Sequence, residues 1–352
     1  MRNRFIVAAA VACATVAPAH AQQPFTVGSI TARPGERSSG FLIVPAAADS
    51  GTRIPITVIH GAQRGPVLAL LAGTHGSEVA PIVALQRLRM RIQPQELRGT
   101  LILVHVANLP SYLKRTIYYS PIDAKNLNRV YPGDPKGTTS QRIADVITRE
   151  VIERSDYLVD MHAGDGYESL RPYTYWNKLG VDVRVDSIGR EMALAWGHDH
   201  IVVDTARPRD PRASIYTQNT AHTRGKPAIT TETGFLGVPD DGMIERNIEG
   251  AVRLMRYLRM LPGSVQLVTN AVWLKTTSVL TSPQTGVWYP LVERGHSVAE
   301  GTVIGYVTDL FGENRREVRA PYAGVVLYVV ATPAMSENEP VAMIGAPSAS
   351  WR

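Results

Sequence analysis

Cysteine is all but missing from this chain: Cys13 is the single copy in 352 residues. It lies in an N-terminal segment expected to be removed, which leaves nothing for disulfide stapling, thiol catalysis or thiolate metal ligation. Charge of one sign is never concentrated. The 37 Lys and Arg residues against 31 Asp and Glu give a formal charge of +6, yet no block of five or more like charges occurs, so a nucleic-acid tract is not indicated. There is no solenoid period and no low-complexity tract. The apolar run near the N-terminus, Phe5 to Ala17, is too short to span a bilayer comfortably. Nothing specifies an oligomeric state.

That short run has another use. Arg2 and Arg4 form a basic n-region before it, Ala19-His20-Ala21 supplies a small-residue cleavage site after it, and no stop-transfer pattern follows. The arrangement predicts a signal peptide over residues 1–21, cut after Ala21, and a periplasmic or secreted product with no membrane attachment. The remaining length suits two domains. Over 24–262, short apolar runs alternate with amphipathic stretches, which argues for an α/β domain. Strands are expected at Ile54-His60, Val67-Ala72, Thr100-Val106, Tyr157-Met161, His200-Val203 and Ala228-Thr231. Helices are expected over 78–92 with Ser77 as N-cap, over 140–155, and over 245–260. After a boundary at Leu261-Pro-Gly263, residues 266–352 carry short β-rich pieces broken by glycine and proline, the pattern of a small all-β unit.

Four polar groups follow separate apolar strands: His75 with Glu78, Asn108, His162 and Glu232. In an open α/β sheet, ligands bind beyond the carboxyl ends of the strands, so these groups are expected to converge. His75-Gly-Ser-Glu78 lies between Gly73 and a helix, and Gly73 and Gly76 allow the sharp turn that points both side chains at one ion. With His162 the set is two histidines and one carboxylate, a common catalytic zinc shell with one position open for water. Hydrolysis by metal-activated water then needs a base to take the proton and return it to the leaving group. Glu232, just beyond an apolar strand and before Gly234, suits that role. In Asn126-Leu-Asn-Arg-Val-Tyr-Pro-Gly133, the Arg129 fork can grip a substrate carboxylate, with Asn128 beside it. Asp160 is placed to reach the outer side of His162, and Glu168, Arg171, Tyr173 and Tyr175 are candidates to line a pocket.

These motifs resemble the succinylglutamate desuccinylase/aspartoacylase family, relatives of the zinc carboxypeptidases. The matching text is Gly73-Thr-His-Gly-Ser-Glu78, Asn126-Leu-Asn-Arg129 with Tyr131-Pro-Gly133, Asp160-Met-His-Ala-Gly164 and Thr231-Glu-Thr-Gly234. The resemblance implies one zinc ion on His75, Glu78 and His162, Glu232 as general acid/base, and Arg129 on the substrate carboxylate. It also implies a zinc-carboxypeptidase-like three-layer α/β core with a mixed, largely parallel eight-stranded sheet. Family members often carry an arginine some dozen residues before the Asn-Arg pair, where it polarises the scissile carbonyl. Here that region reads Lys114-Arg-Thr-Ile-Tyr-Tyr-Ser120, so that arginine is either displaced to Arg115 or missing.

The tail from Val292 to Val326 looks like a biotinyl/lipoyl-type barrel-sandwich. A carrier would need a lysine at the hairpin where this chain has Asp309-Leu-Phe-Gly312, and no lysine follows Lys275. A swinging-arm role is excluded, and the module is expected to cover the site or shape its entrance. The functional expectation is a zinc hydrolase acting on a small molecule or peptide that bears a carboxylate. Deacylation of an N-acyl amino acid ranks first, carboxypeptidase action on peptides or cell-wall fragments second, and ester hydrolysis third. A non-catalytic periplasmic binding protein is the rival from another class.

Overall fold

The computed structural model describes residues 22–348; the expected signal segment lies outside them. A mixed sheet forms the centre. Across it run Glu36–Val44, Thr52–His60, Arg98–Val104, Gln63–Ala72, Tyr157–His162, Ala228–Glu232, Tyr173–Asn177 and His200–Asp204. Four of the seven neighbouring pairs are parallel and three antiparallel. All six expected core strands are present, with bounds shifted by a few residues. Two more were not expected. Glu36–Val44 is a half-exposed edge strand and so lacks a continuous apolar run. Tyr173–Asn177, read from sequence as pocket lining, is rich in aromatics and does both jobs.

Alternation along Gln63–Ala72 shows why helices cover both faces. Leu68, Leu70 and Ala72 point into one apolar cluster, while Ala69 and Leu71 point into another. A strand buried on both sides reads as an unbroken apolar run, and its last five residues are all buried. The first cluster is closed by helices Val79–Arg91, Val183–Trp196 and Asp241–Tyr257 through Leu85, Trp196 and Leu254. The second is closed by Thr139–Ile147 through Ile143 and Ile147. Each large side chain so buried contributes about 1.5–3 kcal/mol. Helix Thr139–Ile147 opens on a Thr138/Gln141 capping box, and the rest of the expected 140–155 helix widens into a π turn over Thr148–Ile152. Among the described residues no helix is long and apolar enough to cross a membrane.

The sheet does not stop at His200–Asp204. Strand Val272–Thr281 pairs with it in parallel through Val272, Trp273 and Leu274, then runs on antiparallel to Pro340–Pro347. Gly324–Val330 and Ser297–Val298 extend the same sheet. A second, four-stranded sheet of Arg316–Arg319, Val303–Thr308, Gly286–Pro290 and Ala334–Met335 lies over it. Trp288, Ile304, Val326 and Ile344 fill the space between the two.

Candidate active site

The loop after Gln63–Ala72 is shaped by two glycines. Gly73 adopts φ +71°, in the left-handed region that L side chains rarely enter. At Gly76 a Cβ would lie 2.2 Å from backbone atoms of Ser111 and Tyr112, so only glycine fits. The turn delivers His75 inward and places Glu78 at the N-cap position of Val79–Arg91. Ser77 does not cap the helix as expected; its hydroxyl bonds to Asp165 instead. Glu78 does not cap it either, because its carboxylate is turned onto two imidazoles. Oε1 lies 2.7 Å from His75 Nδ1 and Oε2 lies 2.9 Å from His162 Nδ1. His162 ends the strand beside Gln63–Ala72, and its ring centroid is 5.0 Å from that of His75.

Both imidazoles are held from behind. Asn126 Oδ1 lies 3.1 Å from His75 Nε2, and Asp160 Oδ2 lies 3.1 Å from His162 Nε2. Each Nδ1 is therefore the nitrogen offered to the centre, and the outer partner fixes ring orientation. Asp160 meets its expectation; Asn126 was quoted only as part of a motif, and its contact is a finding of the structure.

One ligand atom from each of His75, Glu78 and His162 lies within 4.8 Å of the other two, and all three residues are buried. Ligands on a tetrahedral zinc are separated by roughly 3.3 Å at bond lengths of about 2.0–2.2 Å, so the set fits one ion with little adjustment. A second observation agrees. Glu78 Oε2 is buried and close to His162 Nδ1, yet the pair lacks hydrogen-bond alignment. That leaves Glu78 Oε2 free to serve as a ligand atom. Burial alone would raise the Glu78 pKa, but the two imidazoles outweigh it and hold it down at about 2.

Glu232 ends the strand on the other side of His162, and the two are register partners. It lines the same cavity and is not a member of the ligand set. Burial pushes its pKa well up, His162 opposes that, and Glu78, Glu168 and Asp160 add to it. A carboxylate that holds a proton readily is suited to take one up and pass it on.

The cavity has a volume of about 790 Å³, within the range of small-molecule sites. Asn128 and Arg129 both line it. Asn128 Oδ1 accepts from Thr217 N at 3.0 Å, and Nδ2 lies 3.4 Å from His162 Nε2. Arg129 donates to the Asn128 carbonyl at 2.8 Å and sits over the Tyr216 ring at 4.6 Å, with Arg207 on the same ring at 3.7 Å. Glu168, Tyr173 and Tyr175 line the cavity, as expected. Two other expectations fail. Arg171 points elsewhere and pairs with Asp199 at 2.9 Å. Asn108 caps helix Leu109–Lys114 instead of joining the site. Of the two readings of the carbonyl-polarising arginine, displaced to Arg115 or missing, the second fits: Arg115 is exposed at the C-terminus of that helix and does not line the cavity, whereas Tyr118 does. From the C-terminal strands, Lys275, Thr277, Tyr328 and Met343 complete the wall.

With this geometry in place, the kinship follows. A sequence model of the succinylglutamate desuccinylase/aspartoacylase catalytic domain matches residues 64–258, more than half of the chain. The chain belongs to this family. The N-alpha-acetyl-L-2,4-diaminobutyric acid deacetylase of Halomonas elongata is 29% identical over 299 residues, covering 82% of this chain and 85% of that protein. The product-bound ectoine utilization protein EutE (DoeB) of Ruegeria pomeroyi superposes with a TM-score of 0.80 at 26% identity, covering 92% and 98%. The succinylglutamate desuccinylase/aspartoacylase of Rhodobacter sphaeroides, at 23% identity and a TM-score of 0.79 over 90% and 96%, shares the fold. Each family motif read from the sequence gives the cavity at least one wall residue: His75 and Glu78, Asn128 and Arg129, His162 and Ala163, and Glu232; Tyr131-Pro-Gly133 does not line it.

Proposed function

We propose that this protein is an exported zinc-dependent hydrolase that deacylates an N-acyl amino acid or a related carboxylate-bearing amide. The observation that carries this reading is the meeting of His75, Glu78 and His162 within 4.8 Å, with Glu232 beside His162 in one cavity. Its kinship with a deacetylase of an N-acetyl amino acid points the same way. In this reading residues 24–262 form a zinc-carboxypeptidase-like catalytic unit, and residues 266–352 form a barrel-sandwich-like unit that walls its cavity.

His75, Glu78 and His162 would hold one zinc ion, which when bound polarises a carbonyl and lowers the pKa of water. Asn126 and Asp160 fix the two imidazoles from behind. Arg129 binds the substrate carboxylate, and Asn128, pinned by Thr217, holds the guanidinium through its carbonyl. Glu232 takes the proton from the attacking water and delivers it to the departing amine. Fixed charges in a walled cavity stabilise the transition state without reorganising.

The test is a hydrolysis screen of zinc-loaded protein, cut after Ala21, against N-acyl amino acids, with metal analysis alongside. One equivalent of zinc and release of a free amino acid are expected. His162→Ala should lose most of the metal; retention of a full equivalent by that variant would refute the ligand assignment.

A further inference from the structure

Glu168 is a buried carboxylate in the cavity wall that the reaction described above does not use. One oxygen takes the phenol hydrogen of Tyr118, and the other accepts from the Asp165 amide at 3.2 Å. No ion pair to it forms among the described residues. A carboxylate offers about four lone-pair sites, so two remain for a ligand. An ionised carboxylate kept from water without a counter-charge is costly, and burial does raise the Glu168 pKa.

The position of this acid relative to the cations is informative. Contacts lead from His75 to the edge of Tyr118, at 5.2 Å between centroids, and on to Glu168. From His162 they lead through Asn128 to Arg129, Tyr216 and Arg207. One cavity therefore carries the Glu168 acid and the Arg129 and Arg207 guanidinium groups together with the ligand set and Glu232. Tyr118 and Tyr328 also line the cavity on the acid's side, and phenol rings attract cations through their faces. Tyr118 is held at φ +57° to present its hydroxyl there, a backbone strain of the kind that collects at ligand sites.

We propose that the acyl group of the substrate carries a primary ammonium bound by Glu168, so that the preferred substrates are zwitterionic aminoacyl-amino acids, that is, dipeptides. This rests on the hydrolase reading given above and deepens it. One carboxylate end is gripped by Arg129, the other end's ammonium by Glu168, and the amide between them lies at the metal ligands. Water adds to the amide carbonyl and the C–N bond breaks. The water proton goes through Glu232 to the leaving nitrogen, and two free amino acids result. Glu168 touches only the ammonium and is a specificity residue.

The experiment compares zinc-loaded protein on matched pairs: an L-aminoacyl amino acid and the N-acetyl derivative of the same amino acid. The dipeptide should be cleaved on the order of 10- to 100-fold faster in kcat/KM, the range of a charge-assisted hydrogen bond. Glu168→Gln should remove most of that advantage, acting on KM. Equal or better cleavage of N-acetyl substrates by the unaltered protein overturns the ammonium site and leaves the hydrolase reading standing. Zinc-loaded protein that cleaves neither overturns both. The wild-type comparison decides the matter even if the Glu168 variant does not fold. Where it folds, a dipeptide preference that survives the change removes Glu168 from the role.

Discussion

Replacing Glu232 by glutamine separates the proposed proton transfer from everything else in the site. Glu232 is not among the three grouped ligands, and its strand is fixed by backbone pairing to Tyr157–His162 and Tyr173–Asn177. The amide is nearly isosteric, so metal content should stay near one equivalent. Burial raises the Glu232 pKa well above its ordinary value, which means that ionising it costs the folded state. A neutral amide avoids that cost, so thermal stability at pH 7 should be unchanged or higher. Turnover should behave oppositely. A positioned general acid/base contributes about 10²- to 10⁴-fold, and at about 1.36 kcal/mol per decade the barrier should rise by about 3–5 kcal/mol. The assay is kcat on an N-acyl amino acid, with zinc content and Tm measured on the same preparation. A kcat within tenfold of wild type, with zinc retained, would remove Glu232 from the proton path.

Three further outcomes are expected. Asp160→Asn keeps the shape but removes the charge behind His162, and zinc affinity measured by competition with a chelator should fall about 10- to 100-fold. Arg129→Ala removes the proposed carboxylate clamp, so KM for N-acyl amino acids should rise by about 10-fold or more, while the corresponding amino-acid amides should show little change. His198 is buried between Thr174 and Thr233, at 2.9 and 3.0 Å, and burial, with Arg246 adding to it, pushes its pKa down to about 3. Below the unfolded value of about 6.5 the unfolded chain binds a proton that the folded one does not. The stability it confers is therefore complete well above pH 6.5 and declines toward pH 3, by about 1.6 kcal/mol between pH 6.5 and 5. Urea unfolding of His198→Asn at both pH values should show a shallower decline than wild type.

What was legible in the sequence was what local order dictates. Val67–Ala72 and Tyr157–Met161 are apolar because both sheet faces are covered, and each hands its polar residues to a glycine-bearing turn. That made His75, Glu78 and His162 visible before any contact was known. The cap of the first helix was misread because the rule that favours serine there assumes a hydroxyl with no other partner. Ser77 has one in Asp165, which is 88 residues away. Arg171 and Asn108 were misplaced for a similar reason: strand ends show where a side chain begins, and packing decides where it points. The Tyr118–Glu168 pair spans 50 residues and leaves no periodic trace in the chain.

Strand Val272–Thr281 has a mechanical consequence. It is stitched by main-chain bonds to His200–Asp204 at one end and to Pro340–Pro347 along the rest, and Lys275 and Thr277 on it face the cavity. A module joined by a shared β-ladder cannot swing aside without breaking that ladder. On that side the cavity is bounded by a fixed wall, and any room the site gains must come from the loops that carry Tyr118, Arg207 and Tyr216.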